Sequence, residues 1–340
     1  MKKKLIFLVL LLSFALVSCN SLKVNKCNPI YAMDTVIEIS FYNTKDYETH
    51  YKKIKEIYYI YDELADDFVK STKYENVKSL NENRKIENAS IELVELLSES
   101  IKLSEKTNGY FNPLIGRLSH LWKDSIQSDT PYILDEELVE NELKIMNESQ
   151  IIIEGNTISI KGDANVDLGA IAKGYATNKA KEYLESVNVK SYIINAGASS
   201  VTLGDKGDDE FNIGLSKPLE SGLIKKVRKS NISIGTSSYK HQHKKVNDYV
   251  VHHLLNPFTG YPSNNYTNVN VMCDNATLCD AYSTAIFSMS VDEAIKFAED
   301  NNIDILLYDN EILYESEGFI NEEVSQWYHF NPCYSINFSN

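Results

Sequence analysis

Residues 165–174 read Asn165-Val166-Asp167-Leu168-Gly169-Ala170-Ile171-Ala172-Lys173-Gly174, and we call them the junction stretch. A short alternating run precedes them, Thr157-Ile158-Ser159-Ile160, and predicts a strand. A helical pattern follows, whose apolar face is formed by Ile171, Tyr175, Ala180, Tyr183, Leu184 and Val187. The junction stretch is therefore predicted to connect a strand to a helix, where free backbone N–H groups and the positive end of the helix dipole favour anions.

Two interpretations of the junction stretch are open from these residues alone. In one, Gly169 and Gly174 allow a ligand or another chain segment to approach closely, and Lys173 adds a cation. In the other, Asp167 caps the helix and Lys173 is solvated. The stretch alone favours the capped helix, and motifs further along the chain shift the balance.

The composition is that of an ordinary globular protein. The chain has 340 residues, of which 43% are hydrophobic and 24% charged, and its net charge is −14. Because a nucleic-acid partner requires a basic face, no nucleic-acid partner is expected. An anionic ligand would need local cations or a metal to offset the negative charge of the protein.

The N-terminus has the pattern of an export signal. Lys2, Lys3 and Lys4 precede an apolar run over 5–17 that is too short to span a bilayer comfortably. Cys19 follows a small residue at the end of this run, in a sequence that resembles a bacterial lipobox. The alternative is a plain signal peptide with an incidental cysteine. We expect a signal peptide at 1–18, a lipidated tether at 19–28 and a cell-envelope lipoprotein facing outside the cytoplasm.

The four remaining cysteines are Cys27, Cys273, Cys279 and Cys333. None has the close paired spacing of a zinc site. An exported protein could join Cys273 to Cys279, and a buried free thiol is an equal alternative.

Hydrophobic periodicity predicts an α+β protein with mixed sheets and packed helices, helix-rich in its N-terminal part and sheet-rich in its C-terminal part. The predicted helices are 47–68, 90–107, 135–146, 280–289 and 290–300. The predicted strands are 32–41, 192–195, two within 201–215, 231–237, 250–255 and 269–273, and hairpins are predicted at 150–162 and 305–315. The strand at 192–195 would close a β-α-β unit around the junction stretch.

Asp280 and Thr284 lie four residues apart, so on a helix they share one face. A carboxylate and a hydroxyl suit Mg²⁺, which leaves its other positions to water and phosphate oxygens. The alternative is an N-cap Asp with an interior Thr that bonds back to the helix, and it is favoured when this pair is taken alone.

A pair of histidines, His252 and His253, comes before a turn at Asn256-Pro257-Phe258-Thr259-Gly260. A histidine at a strand end can serve as a general base or be a structural residue. Because side chains alternate along a strand, the two histidines are expected to point to opposite faces.

The chain resembles the ApbE-type FAD:protein FMN transferases, which are bacterial flavin transferases and often lipoproteins. The resemblance covers roughly residues 32–309 and rests on six stretches in the family's order. They are Met33-Asp34-Thr35, residues 111–116 with Leu121-Trp122, residues 166–175, Ile194-Asn195-Ala196-Gly197, residues 253–260, and Asp280-Ala281-Tyr282-Ser283-Thr284-Ala285. It implies an ApbE-like fold over residues 29–340.

The resemblance also implies a site. Asp280, Thr284 and the backbone carbonyl of Ala170 would hold Mg²⁺. His253 would take the proton of the acceptor. The residues expected to contact FAD are Met33, Asp167, Lys173, Asn195, Ala196, Gly197, Ser237 and Tyr239.

The implied reaction moves FMN from FAD onto a Thr hydroxyl of an exported or membrane redox protein and releases AMP. Two alternatives stay open: an FAD pyrophosphatase, in which water replaces the Thr hydroxyl, and a flavin-binding lipoprotein without turnover. The chain departs from the family at several positions. Asn256 stands where an Asp is usual, and Ala198 stands where a second Gly is common.

Overall fold

The computed structural model of the chain describes residues 23–239 and 242–320. Eight helices lie in these ranges: α1 (Tyr47–Ala65), α2 (Val77–Asn83), α3 (Ile91–Lys106), α4 (Gly116–Gln127), α5 (Glu136–Glu148), α6 (Ala172–Ser186), α7 (Ala276–Ile286) and α8 (Val291–Asn301). The first eight strands are β1 (Val24–Lys26), β2 (Ile30–Ala32), β3 (Thr35–Tyr42), β4 (Lys85–Ile86), β5 (Gln150–Glu154), β6 (Thr157–Lys161), β7 (Tyr192–Ala196) and β8 (Ser200–Leu203). The others are β9 (Phe211–Ser216), β10 (Leu223–Lys229), β11 (Ile232–Ser238), β12 (His243–Val246), β13 (Tyr249–His252), β14 (Asn268–Cys273), β15 (Asp304–Asp309) and β16 (Glu311–Glu315).

The largest sheet has nine strands and is antiparallel at every pairing. Its order is β1-β3-β7-β8-β11-β14-β15-β16, with β2 paired to β3. Helix α7 packs against β11 and β14, α6 packs against α7, and α1 packs against α6. The main core lies between this sheet and these helices, so α6 and α7 are held side by side in its interior.

A separate sheet, β4-β6-β5, carries the strand that precedes the junction stretch. The predicted hairpin at 150–162 is confirmed as β5 and β6. The predicted β-α-β unit is wrong, because β6 and β7 belong to different sheets. The chain from 162 to 196 therefore crosses from the small sheet to the large one, and α6 is the connection.

Helix boundaries agree with the sequence where a side chain caps the helix. Ser90 accepts a hydrogen bond from the backbone of Leu93, and Ser290 and Glu293 form the predicted capping box. Helix α4 was not predicted, since its N-cap is Ile115 and no side chain bonds to its first turn. Strands β10 and β12 were also missed, because their lysine-rich sequences hide the alternation.

The structure shortens the tether predicted at 19–28. Val24–Lys26 form an edge strand that pairs with residues 40–42 of β3. The backbone N–H of Lys23 also donates to Asn43, at 2.8 Å. The predicted signal peptide, Cys19 and Cys333 lie outside the described residues. Among the described helices, none has the length and apolar character needed to cross a membrane.

Of the two alternatives for Cys273 and Cys279, the structure has the disulfide. It joins the last residue of β14 to the second turn of α7. Cys27 is a half-buried free thiol, and burial raises the pKa of this thiol to about 11.

Candidate functional site

The junction stretch is hydrogen-bonded to the end of α2. The Asn81 side chain bonds to both backbone groups of Val166: its amide donates to the carbonyl oxygen at 2.8 Å, and its oxygen accepts from the N–H at 2.7 Å. Arg84 donates to the carbonyl oxygens of Gly162 and Ala164. The roles of Asn81 and Arg84 were not predicted from the sequence. The only pattern near them is that of a short polar helix, at whose end they lie.

Helix α6 begins later than the capped-helix interpretation requires. Its first residue is Ala172, and its N-cap, Ile171, makes no side-chain bond. Asp167 instead accepts the N–H of Gly169 at 2.7 Å, within a turn before the helix. Asp167 is therefore not the helix cap, and its half-buried carboxylate lies in a loop.

Asp280 lies in the interior of α7 and is buried. Its Oδ2 accepts the backbone N–H of Gly174 at 2.8 Å. A Cβ on Gly174 would overlap the backbone of Ala276 and the Asp280 side chain, so glycine lets the two helices meet here. The N-cap role considered for Asp280 is wrong, because Asn275 caps α7. Burial raises the pKa of Asp280, while the charge of Lys173 opposes this rise.

Hydroxyl groups surround the next turn of α7. Thr284 Oγ1 lies 3.3 Å from the carbonyl oxygen of Asp280 and 3.2 Å from Ser237 Oγ. Ser237 also bonds to Ser283, at 2.9 Å. Ser237, predicted as a flavin contact, thus lies beside the predicted metal ligand Thr284.

Ala170 and Lys173 lie at the start of α6, next to Gly174. The Lys173 ammonium donates to the carbonyl oxygen of Gly169, at 3.4 Å. The described residues contain no cluster of three or more His, Cys, Asp or Glu suited to a metal. A set of one carboxylate, one hydroxyl and one backbone carbonyl is a different kind of site, and its hard oxygen donors fit Mg²⁺. The residues present thus fit the implied ion.

The two histidines point to opposite faces, as strand alternation predicts. His252 is buried, stacks on Tyr239 with a centroid distance of 4.5 Å, and accepts the N–H of Leu254. His253 keeps solvent contact. Desolvation by the surrounding protein lowers the pKa of His253, Lys173 adds to the lowering, and Asp167 opposes it. Solvent contact moderates this shift, and its direction leaves a neutral imidazole at pH 7 that can accept a proton.

The Asn256 side chain belongs to the turn after β13. Its oxygen accepts the N–H of Phe258 at 2.8 Å, while its backbone carbonyl accepts the N–H of Gly260. An Asp would make the same side-chain bond. The departure at Asn256 therefore changes the charge of the turn and keeps its geometry.

Two tight turns meet at one end of the large sheet. Met33 and Asp34 connect β2 to β3 with φ of 56° and 55°, and the Met33 N–H donates to Asp62 at 2.5 Å. Gly197 and Ala198 connect β7 to β8 with φ of 66° and 60°. A Cβ on Gly197 would overlap Thr35, so the turns are in contact.

The predicted flavin contacts lie on several different elements. Asn195 and Ala196 end β7, where they pair with Glu38 and Ile37 of β3. Asp167 and Lys173 act electrostatically on His253. Tyr239 is buried and stacks on His252.

Comparison with known proteins supports the motif analysis. The sequence profile of the ApbE family matches residues 33–307. The chain is 29% identical to the FAD:protein FMN transferase of Klebsiella pneumoniae over 189 residues, which are 54% of this chain and 58% of that protein. It is 25% identical to the Vibrio cholerae FAD:protein FMN transferase over 235 residues, 68% of this chain and 69% of that protein. The match to a relative from Rhodobacter capsulatus spans 38% of that protein.

Solved structures show the same fold. The ApbE protein of Thermotoga maritima superposes with a TM-score of 0.74 and 24% identity, over 84% of this chain and 94% of that one. The flavin transferase ApbE of Vibrio cholerae gives a TM-score of 0.72 and 22% identity, over 88% and 98%. The mixed α/β architecture is thus that of ApbE proteins. With a family profile that matches most of its length, this chain belongs to the ApbE family.

Proposed function

We propose that this protein is a Mg²⁺-dependent FAD:protein FMN transferase. The observation that carries the proposal is the meeting of the junction stretch with α7, where the Gly174 N–H holds the buried carboxylate of Asp280. The name of the relatives agrees with this activity.

Mg²⁺ would be held by Asp280, Thr284 and the carbonyl oxygen of Ala170. When bound, it withdraws charge from the pyrophosphate of FAD and from the departing AMP. Lys173 adds a positive charge at the start of α6, beside the same carboxylate. The flavin part of FAD would contact the two tight turns, at Met33 and at Asn195-Ala196-Gly197, together with Asp167, Ser237 and Tyr239.

The acceptor Thr requires a base, because a hydroxyl is a poor nucleophile at neutral pH. In the proposed step, the Thr oxygen attacks the FMN phosphorus and the phosphorus–oxygen bond to AMP breaks. The Thr proton passes to the neutral imidazole of His253, and AMP leaves with the bridging oxygen. Solvent contact of His253 lets an acceptor reach it.

The proposed acceptor is an exported or membrane redox protein with an exposed Thr. We propose that the enzyme itself is anchored to the membrane by a lipid on Cys19, as the lipobox pattern indicates. FAD hydrolysis to FMN and AMP is the competing activity, since water can occupy the position of the Thr hydroxyl.

One assay tests the proposal. The mature protein is incubated with FAD, MgCl₂ and an exported redox protein that carries a Thr acceptor, with its Thr→Val variant as the control. Mass spectrometry of the acceptor should find the added mass of FMN, and chromatography an equal amount of AMP. AMP without modified acceptor would indicate the pyrophosphatase. Absence of both products would contradict any turnover of FAD.

A further inference from the structure

An ionisable pair lies outside the residues that the proposed mechanism uses. His120 Nε2 is 2.5 Å from Oδ2 of Asp67, 53 residues earlier in the chain. Asp67 is 8% exposed and follows α1, whereas His120 lies on α4. A buried carboxylate is costly unless it is paired, so the short hydrogen bond gives this carboxylate its partner.

The pair is fixed from the outer side by an aromatic ring. Phe68 stacks on the His120 ring with a centroid distance of 4.4 Å and an interplanar angle of 23°. The Lys123 ammonium also lies over the Phe68 ring, 3.7 Å from the centroid of that ring. Phe68 is 47% exposed, so the stack lies at the surface of the protein.

The turn before α4, the helix that carries His120, is hydrogen-bonded to the junction stretch. Pro113, in the turn that leads into α4, accepts the backbone N–H of Asp167 at 2.9 Å. Asp167 is close enough to act electrostatically on both Asp67 and His120, and it acts on His253 as well. The charge of Asp167 therefore couples the junction stretch to the Asp67–His120 pair.

The charges around this place are unbalanced. Asp67 and Asp167 bring two carboxylates that act on His120, while Lys123 brings one cation, in a protein of net charge −14. An FAD pyrophosphate adds further negative charge. A protonated His120 would be a second cation of the site.

We propose that the Asp67–His120 pair is a positioning element for the flavin substrate, in which the protonated imidazole offsets the negative charge of Asp167 and of the FAD phosphates. This inference rests on the proposed function and deepens it. It makes FAD affinity dependent on the protonation of one side chain that is not among the proposed metal ligands.

The direction of the pH effect follows from the groups that face His120. The hydrogen bond from Asp67 raises the pKa of His120 above its usual 6.5, the charge of Asp167 adds to this rise, and burial and Lys123 oppose it. The cation is therefore present below the raised pKa and is lost as the pH rises through it. Protonation of Asp280 would weaken metal binding at low pH, so it acts in the opposite direction.

The test measures the binding of FAD, and separately of riboflavin, by quenching of flavin fluorescence from pH 6 to pH 8.5 in MgCl₂. For the parent protein, FAD affinity should fall by about three- to tenfold as the pH rises, the effect of one charge on an anion at a hydrated site. Riboflavin, which has no phosphate, should show little change. His120→Gln should bind FAD with the high-pH affinity of the parent at every pH.

Asp67→Asn gives the second variant, because it keeps the size of the side chain and removes its charge. The fall in FAD affinity should then occur at lower pH than in the parent. Equal pH dependence for FAD and riboflavin, or an unchanged pH profile in His120→Gln, would overturn the role of the pair. If the parent protein transfers FMN but its FAD affinity does not change with pH, the role of the Asp67–His120 pair is contradicted and the proposed function stands. If the parent binds no FAD at any pH, the proposed function is contradicted as well.

Discussion

The backbone N–H of Gly174 donates to the carboxylate of Asp280 across 106 residues of sequence. This bond joins the first turn of α6 to the interior of α7, and it places the junction stretch beside Asp280. A carboxylate in a helix interior is costly to bury without compensation. Within residues 23–239 and 242–320, the charged neighbour that lowers its pKa is Lys173, which comes from the same turn as Gly174.

Asp280→Asn separates the charge of this side chain from its hydrogen bond. The amide oxygen can still accept the Gly174 N–H, and a neutral group is cheaper to bury, so the melting temperature should stay equal or rise. FMN transfer should fall by about 100-fold or more, because the carboxylate ligand is lost. The rate is measured against MgCl₂ concentration, with thermal unfolding as the control. Parental activity at low Mg²⁺ would rule out this metal site.

His253→Ala should lower single-turnover transfer by about two to four orders of magnitude, the usual contribution of a general base. FAD affinity should barely change, because the base acts on the acceptor. Because the pKa of His253 is lowered, the imidazole is neutral at pH 7, and its function as a base is expected to be lost only as the pH falls below the usual range of histidine. A parental transfer rate in the variant would mean that the proton goes elsewhere.

His252→Ala has a different expected result. His252 is buried between Tyr239 and Phe287, with ring centroids at 4.5 Å and 6.0 Å, so its removal leaves a cavity. The free energy of unfolding should fall by about 1–3 kcal/mol. Chemical denaturation measures this loss. An unchanged stability would contradict the packing role of His252.

Two neighbours in the β7–β8 turn should respond in opposite directions. Ala198 has a φ of 60°, which is unfavourable for a residue with a Cβ, so Ala198→Gly should raise the free energy of unfolding by up to about 1 kcal/mol. Gly197→Ala should lower it by about 1–3 kcal/mol, because the new Cβ overlaps Thr35. Both variants are compared with the parent by urea denaturation. A change in the free energy of unfolding in the same direction for both would mean that the turn relaxes around the substitution, contrary to this prediction.

Cys19→Ser tests the proposed anchor. The parent protein should partition into the detergent phase and the variant into the aqueous phase, since a lipid requires the thiol. Transfer to a soluble acceptor serves as the control and should be equal in both. Identical partition of the two proteins would remove the anchor from the proposal.

The sequence predicted those parts of the structure that depend on neighbouring residues. Ser90 and Ser290 predict the starts of their helices, because the side chain of each accepts a hydrogen bond from the backbone N–H three residues later. The bond from Gly174 to Asp280 and the pair of Asp67 and His120 join distant parts of the chain, so no local pattern contains them. Family motifs brought Asp280 and the junction stretch together, whereas His120 lies outside the quoted motifs and was missed.

If Cys19 carries the proposed lipid, strand β1 limits how far from the membrane the enzyme can work. Four residues separate Cys19 from Val24, the first residue of β1, so the five steps from one Cα atom to the other span at most about 18 Å. With Cys19 in the membrane, the edge of the large sheet is thus kept close to the lipid headgroups. A suitable acceptor must then present its threonine close to the membrane surface, near its own membrane attachment. A longer linker inserted before Lys23 should widen the range of proteins that can be modified.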